Sequence, residues 1–229
     1  MLIGTDKNWD LHVVHAEEVA RSAGFRELRD RILDLAEVAP GQDLVDVGAG
    51  TGLLSLAAAE RGANVWAIDI SPAMCDYLAT KAASAGSELI DVAVGSAVSL
   101  PLVDGCADVV VSNYCFHHMS DDEKERALQE AARVLRPGGR LVFADMMFSL
   151  NPARARDRAV VASKVRAMLR KGPAGVARLT KNALRLASGR WEHPAPAAWW
   201  EDALRRAGFV DVVVESLDHE GGLAHGRKP

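Results

Sequence analysis

The chain of 229 residues is 49% hydrophobic and 25% charged, with a net charge of −4, the balance of an ordinary globular domain with a core of its own. No uncharged apolar run approaches the roughly 18 residues of a membrane span, and residues 1–7 lack the basic-then-apolar order of a secretory signal. Cys75, Cys106 and Cys115 form no Cys-x-x-Cys pair, which argues against a disulfide framework or a structural zinc site and makes a cytoplasmic enzyme without a metal the simplest expectation.

Residues 12–38 place apolar positions such as Val13, Val14, Leu28, Ile32 and Leu35 at helical spacing and end before Pro40-Gly41, so one or two helices are expected there. The apolar run 43–47 reads as the first strand. An alanine-rich helix (Ala57, Ala58, Ala59) follows over 52–60 and stops at Gly62, and Asn64 to Asp69 reads as the second strand. Ser71-Pro72 caps a helix with proline at its first position, closed by Gly86. Leu89 to Val94 and Ala107 to Ser112 are the third and fourth strands. Ser120-Asp121-Asp122-Glu123 is a capping box for a helix to about Leu135, after which Arg136-Pro137-Gly138-Gly139 is expected to turn the chain into a fifth strand at Arg140 to Asp145.

Residues 151–190 differ from their surroundings, with eleven basic residues and a single acid, Asp157, against 16 basic and 30 acidic residues elsewhere. Val160, Val161, Val165, Met168 and Leu169, then Val176, Leu179, Ala183, Leu184 and Leu186, mark two amphipathic helices broken at Gly172-Pro173. Pro196 opens a last helix through Trp199, Trp200 and Leu204 to Gly208; of the two tryptophans, one is expected in the core and the other toward a lid, with Trp191 nearby. Val210 to Leu217 and Gly222 to Gly226 read as a closing antiparallel hairpin. Strands alternating with helices imply a Rossmann-like, doubly wound αβα fold: a seven-stranded sheet, mostly parallel, with a reversed terminal hairpin strand. The whole is expected to be one domain, 1–229, with an N-terminal helical cap over 1–39 and a basic helical lid over 151–195.

The chemistry concentrates at Asp46-x-Gly48-x-Gly50-x-Gly52. Glycine at alternate positions permits a tight turn and a close ligand approach, and the helix beyond offers unpaired N–H groups. A phosphate loop would need Lys-Ser/Thr after its last glycine, where Leu53 stands; a dinucleotide fingerprint would need its third glycine one residue later than Gly52. Asp69 ends the second strand, in the crevice where a nucleotide ribose binds an α/β sheet, and its two oxygens can accept from two hydroxyls.

The pattern Asp46-x-Gly48-x-Gly50-x-Gly52 resembles the class I S-adenosylmethionine-dependent methyltransferases, of the small-molecule, UbiE-like type. Gly95-Ser96-Ala97, Leu100-Pro101, Asp104-Gly105, Asp108-Val109-Val110, His117-His118 and Leu135-Arg136-Pro137-Gly138-Gly139-Arg140-Leu141 follow that family's order, closely over about 40–145 and loosely at the C-terminal hairpin. The resemblance implies methyl transfer from S-adenosylmethionine to a small-molecule acceptor. It implies a cofactor site of Asp46, Gly48, Ala49, Gly50, Gly52, Asp69, Ile70, Met74, Ser96, Ala97 and Asn113. Ser96 departs from the aspartate common in the family, so a neutral acceptor would meet the adenine amino group, a weaker bond than a charge-assisted one.

Asn113, Tyr114, Cys115, Phe116, His117 and His118 follow the fourth strand, where the methyl group would be presented. Either histidine is a candidate catalytic base; the competing reading is that the pair shapes the cofactor pocket or caps the next helix. Trp9 and His12 are candidates for an N-terminal lid. The basic segment would be a solvated lid face, a peripheral contact with anionic membrane, or a steering surface for an anionic or amphiphilic acceptor; nucleic acid is disfavoured because no aromatic side chains interleave with the basic ones. Three other functions remain open: S-adenosylmethionine binding without methyl transfer, a protein associated first with membrane or polyanion, and a nicotinamide-dependent oxidoreductase.

Overall fold

The computed structural model describes residues 8–149, 151, 153–187, 192–217 and 220–229. Trp191 and the tip of the closing hairpin lie outside them. A 3-10 turn, Trp9–His12, leads into α1 (Val13–Ala20) and α2 (Ala23–Leu35). Then follow β1 (Asp43–Val47), α3 (Leu53–Glu60), β2 (Asn64–Asp69), α4 (Pro72–Ser84), β3 (Ile90–Val94) and β4 (Ala107–Asn113). A second 3-10 turn, Phe116–His118, precedes α5 (Asp121–Val134), β5 (Leu135–Met146), α6 (Ala155–Leu169), α7 (Pro173–Ala187), α8 (Ala197–Arg206), β6 (Val210–Ser216) and β7 (Gly221–Arg227).

The strands form one seven-stranded sheet in the order β3-β2-β1-β4-β5-β7-β6. All neighbours are parallel except β7, which runs antiparallel to both β5 and β6. The chain winds outward from β1 through β2 to β3, then crosses back to β4. A crevice therefore opens between the carboxyl ends of β1 and β4, where such sheets bind ligands.

Strand alternation divides the core into two layers. Val45, Val47, Val110, Leu141 and Phe143 pack on one face with Leu128 of α5 and Trp200 and Leu204 of α8. Leu44, Val65, Val109, Val111 and Val142 pack on the other with Ile32 of α2 and Leu54 and Ala58 of α3. The alanines of α3 let that helix lie close to the sheet, and Asp46, on the same strand face as Leu44, ends up beneath it. Trp200 is the core tryptophan, 4.8 Å from Phe143 and 5.8 Å from Phe116 between ring centres; Trp199 instead stacks under the Lys124 ammonium at 5.3 Å.

One boundary differs from its sequence expectation. The fifth strand begins at Leu135, directly after α5, rather than at Arg140. Its register with β4 jumps from Ala107 opposite Leu135 to Val109 opposite Arg140, so 136–139 bulge out of a strand already begun. Arg136 holds the bulge by ion pairs with Asp43 (2.8 Å) and Asp108 (2.7 Å), tertiary partners that local turn chemistry does not reveal. The capping box at Ser120 is present in both directions.

Candidate functional site

A cavity of about 390 Å³ occupies the crevice, within the range of small-molecule sites. Its floor at β1 is main chain. The N–H groups of Gly48 and Ala49 both donate to Ile68 O, at 2.8 and 3.1 Å, and Gly50 N–H donates to Asp69 Oδ2 at 2.8 Å. Asp69 Oδ1 accepts from Ser71 N–H at 2.9 Å. One acid at the end of β2 thus fixes the glycine turn of β1 and the start of α4, with lone pairs to spare on each oxygen.

The three glycines do different things. A methyl group at Gly48 would sit 2.8 Å from Cys115 Cβ, and one at Gly52 would run into the buried Leu78 side chain. One at Gly50, which lines the cavity, would meet no atom within 4 Å, although its φ of +52° is left-handed.

Asp46 is 1% exposed and accepts from Ser55 Oγ at 2.5 Å. Loss of solvation pushes its carboxyl up to about 7, the Ser55 bond opposes this, and the charge of Asp69 adds to it. Asp69 is also raised, chiefly by burial, against the N–H bonds from Ser71 and Gly50. Across the floor, Asn113 Oδ1 is buried and has no hydrogen-bond partner among the described residues. A buried, unpaired amide oxygen costs free energy unless a ligand donor meets it.

The opposite wall is assembled from distant segments. His117 Nδ1 lies 2.6 Å from Asp145 Oδ1, and Asp145 is fully buried. Its other oxygen accepts the N–H groups of Phe116 (2.6 Å) and His117 (3.2 Å), so the carboxylate is fixed from several directions. His118 packs 3.8 Å from the His117 ring and 4.4 Å from Trp9. His193 N–H donates to His117 O at 2.7 Å, which brings Glu192 to the cavity wall. Tyr114, at a φ of +54° that non-glycine residues seldom adopt, turns its ring between Phe25 and His117.

The N-terminal segment closes the top. Trp9, His12, His15, Ala16, Val19 and Phe25 line the cavity. The segment is tied down by Asp10, which accepts from Ser71 Oγ at 2.5 Å, and by Glu17, which pairs with Lys81 at 2.9 Å. Among the described residues of the basic segment none lines the cavity. Instead α6 docks at the carboxyl end of β5, beside the cavity, where Val160 packs with Met146 and Phe148, and Arg156 donates to the carbonyls of Leu217 and Gly221.

Of the sequence candidates, Asp46, Gly48, Ala49, Gly50, Asp69, Ile70, Met74, Ser96, Ala97, Asn113, His117 and His118 all line the cavity. Gly52 does not, and forms the left-handed cap of α3 behind the wall. Asp145 and Glu192 carry no motif and escape sequence reading. The only available signal for Asp145 was an acid at the carboxyl end of a strand otherwise made of Leu141, Val142, Phe143 and Ala144.

Comparison with known proteins follows the same outline. The family described as "Methyltransferase domain" matches residues 45–143. An uncharacterized methyltransferase of Geobacillus kaustophilus is 36% identical over 135 residues, covering 56% of this chain and 61% of the relative. Nocamycin O-methyltransferase of Saccharothrix syringae is 35% identical over 194 residues, covering 82% of this chain and 66% of the relative. The crystal structure of an S-adenosylmethionine-dependent methyltransferase from Aquifex aeolicus superposes with a TM-score of 0.67 at 17% identity, covering 95% of this chain and 98% of that one. The chain spans between about half and two thirds of the length of the curated relatives it matches.

Proposed function

Because the chain belongs to the class I S-adenosylmethionine-dependent methyltransferases, we propose that it transfers the cofactor's methyl group to a hydroxyl of a small-molecule acceptor. The observation that carries the reading is the convergence of the glycine turn, Asp69 and the unpartnered Asn113 Oδ1 on one cavity. This set of acceptors fits S-adenosylmethionine. A buried amide oxygen and a buried carboxylate, Asp46, suit a ligand with an ammonium and a sulfonium, and Asp69 retains acceptor capacity for two ribose hydroxyls.

In this reading Asp46, Gly48, Ala49, Gly50 and Asn113 hold the methionine part, Asp69 and Ile70 the ribose, and Met74, Ser96 and Ala97 the adenine. Gly52 supports the turn without touching the ligand. When bound, the cofactor supplies a methyl group on a positively charged sulfur, already activated toward displacement. The chain's task is then to position the acceptor and exclude water, which can account for several kcal/mol of the barrier. Phe25, Val19 and Trp9 supply the dry cover. His117, fixed by Asp145, and His118 meet the acceptor oxygen. A hydroxyl acceptor is favoured by the likeness to an O-methyltransferase over 82% of this chain.

The test is incubation with methyl-labelled S-adenosylmethionine and a panel of small phenols, alcohols and amines. Release of S-adenosylhomocysteine with label on a hydroxyl is expected. Tight S-adenosylhomocysteine binding with no turnover on any acceptor would reduce the protein to a cofactor binder, and label on amines alone would overturn the hydroxyl assignment.

A second reading, of membrane contact, draws on α6 and α7. Leu169, Val176 and Leu184 are at least half exposed among Arg166, Arg170, Lys171, Arg178 and Lys181, a composition suited to an anionic bilayer surface. No helix among the described residues is long and apolar enough to cross a membrane. Co-sedimentation with vesicles containing phosphatidylserine, and not with phosphatidylcholine alone, is the expected result; equal behaviour with both at low salt would remove this reading.

A further inference from the structure

We propose that His117, His118 and Glu192 form a binding site for a single zinc ion at the acceptor end of the cavity. One donor atom from each residue lies within 4.8 Å of the other two, and all three residues line the cavity wall. Ligands of a tetrahedral zinc with ordinary bond lengths stand roughly 3.3 Å apart, so modest side-chain rotations bring the set to bonding distance.

Proximity alone would be weak, but the surroundings supply what a metal-binding imidazole requires. Such a histidine nearly always donates its other ring N–H to a carboxylate or carbonyl, which fixes the tautomer and raises the basicity of the ligating nitrogen. His117 has this partner: Nδ1 faces Asp145 at 2.6 Å, leaving Nε2 as the nitrogen for a metal. Asp145 is itself held by N–H groups of Phe116, His117 and Met146, so it cannot swing away. His118 is packed by Trp9 at 4.4 Å. The bond from His193 N–H to His117 O ties the backbone beside Glu192 to the backbone of the first ligand.

Two imidazoles and a carboxylate form a nitrogen-rich set that suits zinc and its neighbours rather than magnesium or calcium, which take oxygen ligands. With Asp145 behind His117, two carboxylates balance the ion's two charges. Three protein ligands leave a fourth position for water or a ligand oxygen. If the cavity is the methyl-transfer site proposed above, the two histidines would meet the acceptor oxygen through the ion, and an acceptor hydroxyl taking that position would give up its proton to solvent water more readily. That role rests on the proposed function; the ion site itself does not.

The test uses tag-free protein stripped with a chelator. Cobalt(II) titration, followed by visible absorption, and zinc competition against a chromogenic chelator should each give one equivalent. His118→Ala and Glu192→Gln, at the partly buried positions, should each weaken zinc about tenfold to hundredfold, as should Asp145→Asn, which touches no metal. Cys115→Ser should leave the affinity unchanged. Absence of stoichiometric binding in the wild-type protein, or unchanged affinity in the His118→Ala/Glu192→Gln double variant, would overturn the site. Calorimetry with S-adenosylhomocysteine on each protein reports folding and separates the readings: a wild-type protein that binds zinc but not S-adenosylhomocysteine would sink the methyl-transfer proposal and leave the ion site standing.

Discussion

The two sides of the cavity are built by different means. On the β1–β2 side, the wall comes from residues 46–70 and its turn is fixed largely through main-chain N–H groups, with Gly48 and Ala49 N–H on Ile68 O and Gly50 N–H on Asp69. On the β4–β5 side, the wall is made by the side chains of Asn113, His117, Glu192 and Trp9, with Asp145 behind His117, brought together by the tertiary fold. A backbone site tolerates changes in the surrounding side chains but not a change in chain path. A side-chain site is the reverse. If the proposed assignment holds, most of the cofactor's contacts fall on the first wall and the acceptor's on the second, with Asn113 of β4 the group that crosses between them.

The sharpest way to break this division is inside the glycine turn. Gly50→Val should abolish cofactor binding, a loss of more than about hundredfold, because its side chain projects into the space a ligand needs. The left-handed φ should cost about 1–3 kcal/mol of stability, since a β-branched residue seldom adopts it. Gly48→Ala should do the opposite in proportion: its methyl group meets Cys115 Cβ at 2.8 Å, so overpacking adds about 1–3 kcal/mol to the strain. Calorimetric titration with S-adenosylhomocysteine, beside thermal melts of both variants, checks the pair. Retained micromolar binding in Gly50→Val would remove the turn from the cofactor site.

The opposite wall should respond in rate rather than in cofactor affinity. Asp145→Asn removes the charge that orients His117, and kcat/KM for the acceptor should fall about tenfold to hundredfold while S-adenosylhomocysteine affinity stays within a few fold. Asp145 is a positioning residue, so the pH dependence of kcat should also change shape. A variant in which rate and cofactor affinity fall together, with the pH profile unmoved, would mean that Asp145 serves only to pack the site.

The same contrast explains what the sequence made legible. The strand–turn–helix order, the capping box at Ser120 and the Gly172-Pro173 break are local, and each stands in the structure as read. Asp69 was also readable, because the end of a strand beyond a glycine turn is a position with a known chemical use. Asp145 and Glu192 were not, since nothing within ten residues of either says that His117 is its neighbour. Strand β5 shows the same limit on a smaller scale: Arg136-Pro137-Gly138-Gly139 reads as a turn before a strand, and only Asp43 and Asp108, far away in the chain, make it a bulge within one.

A smaller effect, with a definite sign, comes from Asp46. Burial pushes its carboxyl up to about 7, so the free protein holds a neutral acid below that pH and a carboxylate above it. A cationic ligand binds better beside the carboxylate, and affinity for S-adenosylmethionine should rise about tenfold between roughly pH 6 and pH 8. Stability of the ligand-free protein should move the other way. The folded state retains a proton that the unfolded chain releases, so this group's contribution is full below the ordinary carboxylate range and is lost as pH climbs to about 7. Asp46→Asn should flatten both curves, at some cost in affinity above neutrality. Thermal melts and ligand titrations across the same pH series measure the two slopes together. Parallel slopes, or a pH-dependent affinity that survives Asp46→Asn, would place the titrating group elsewhere in the cavity.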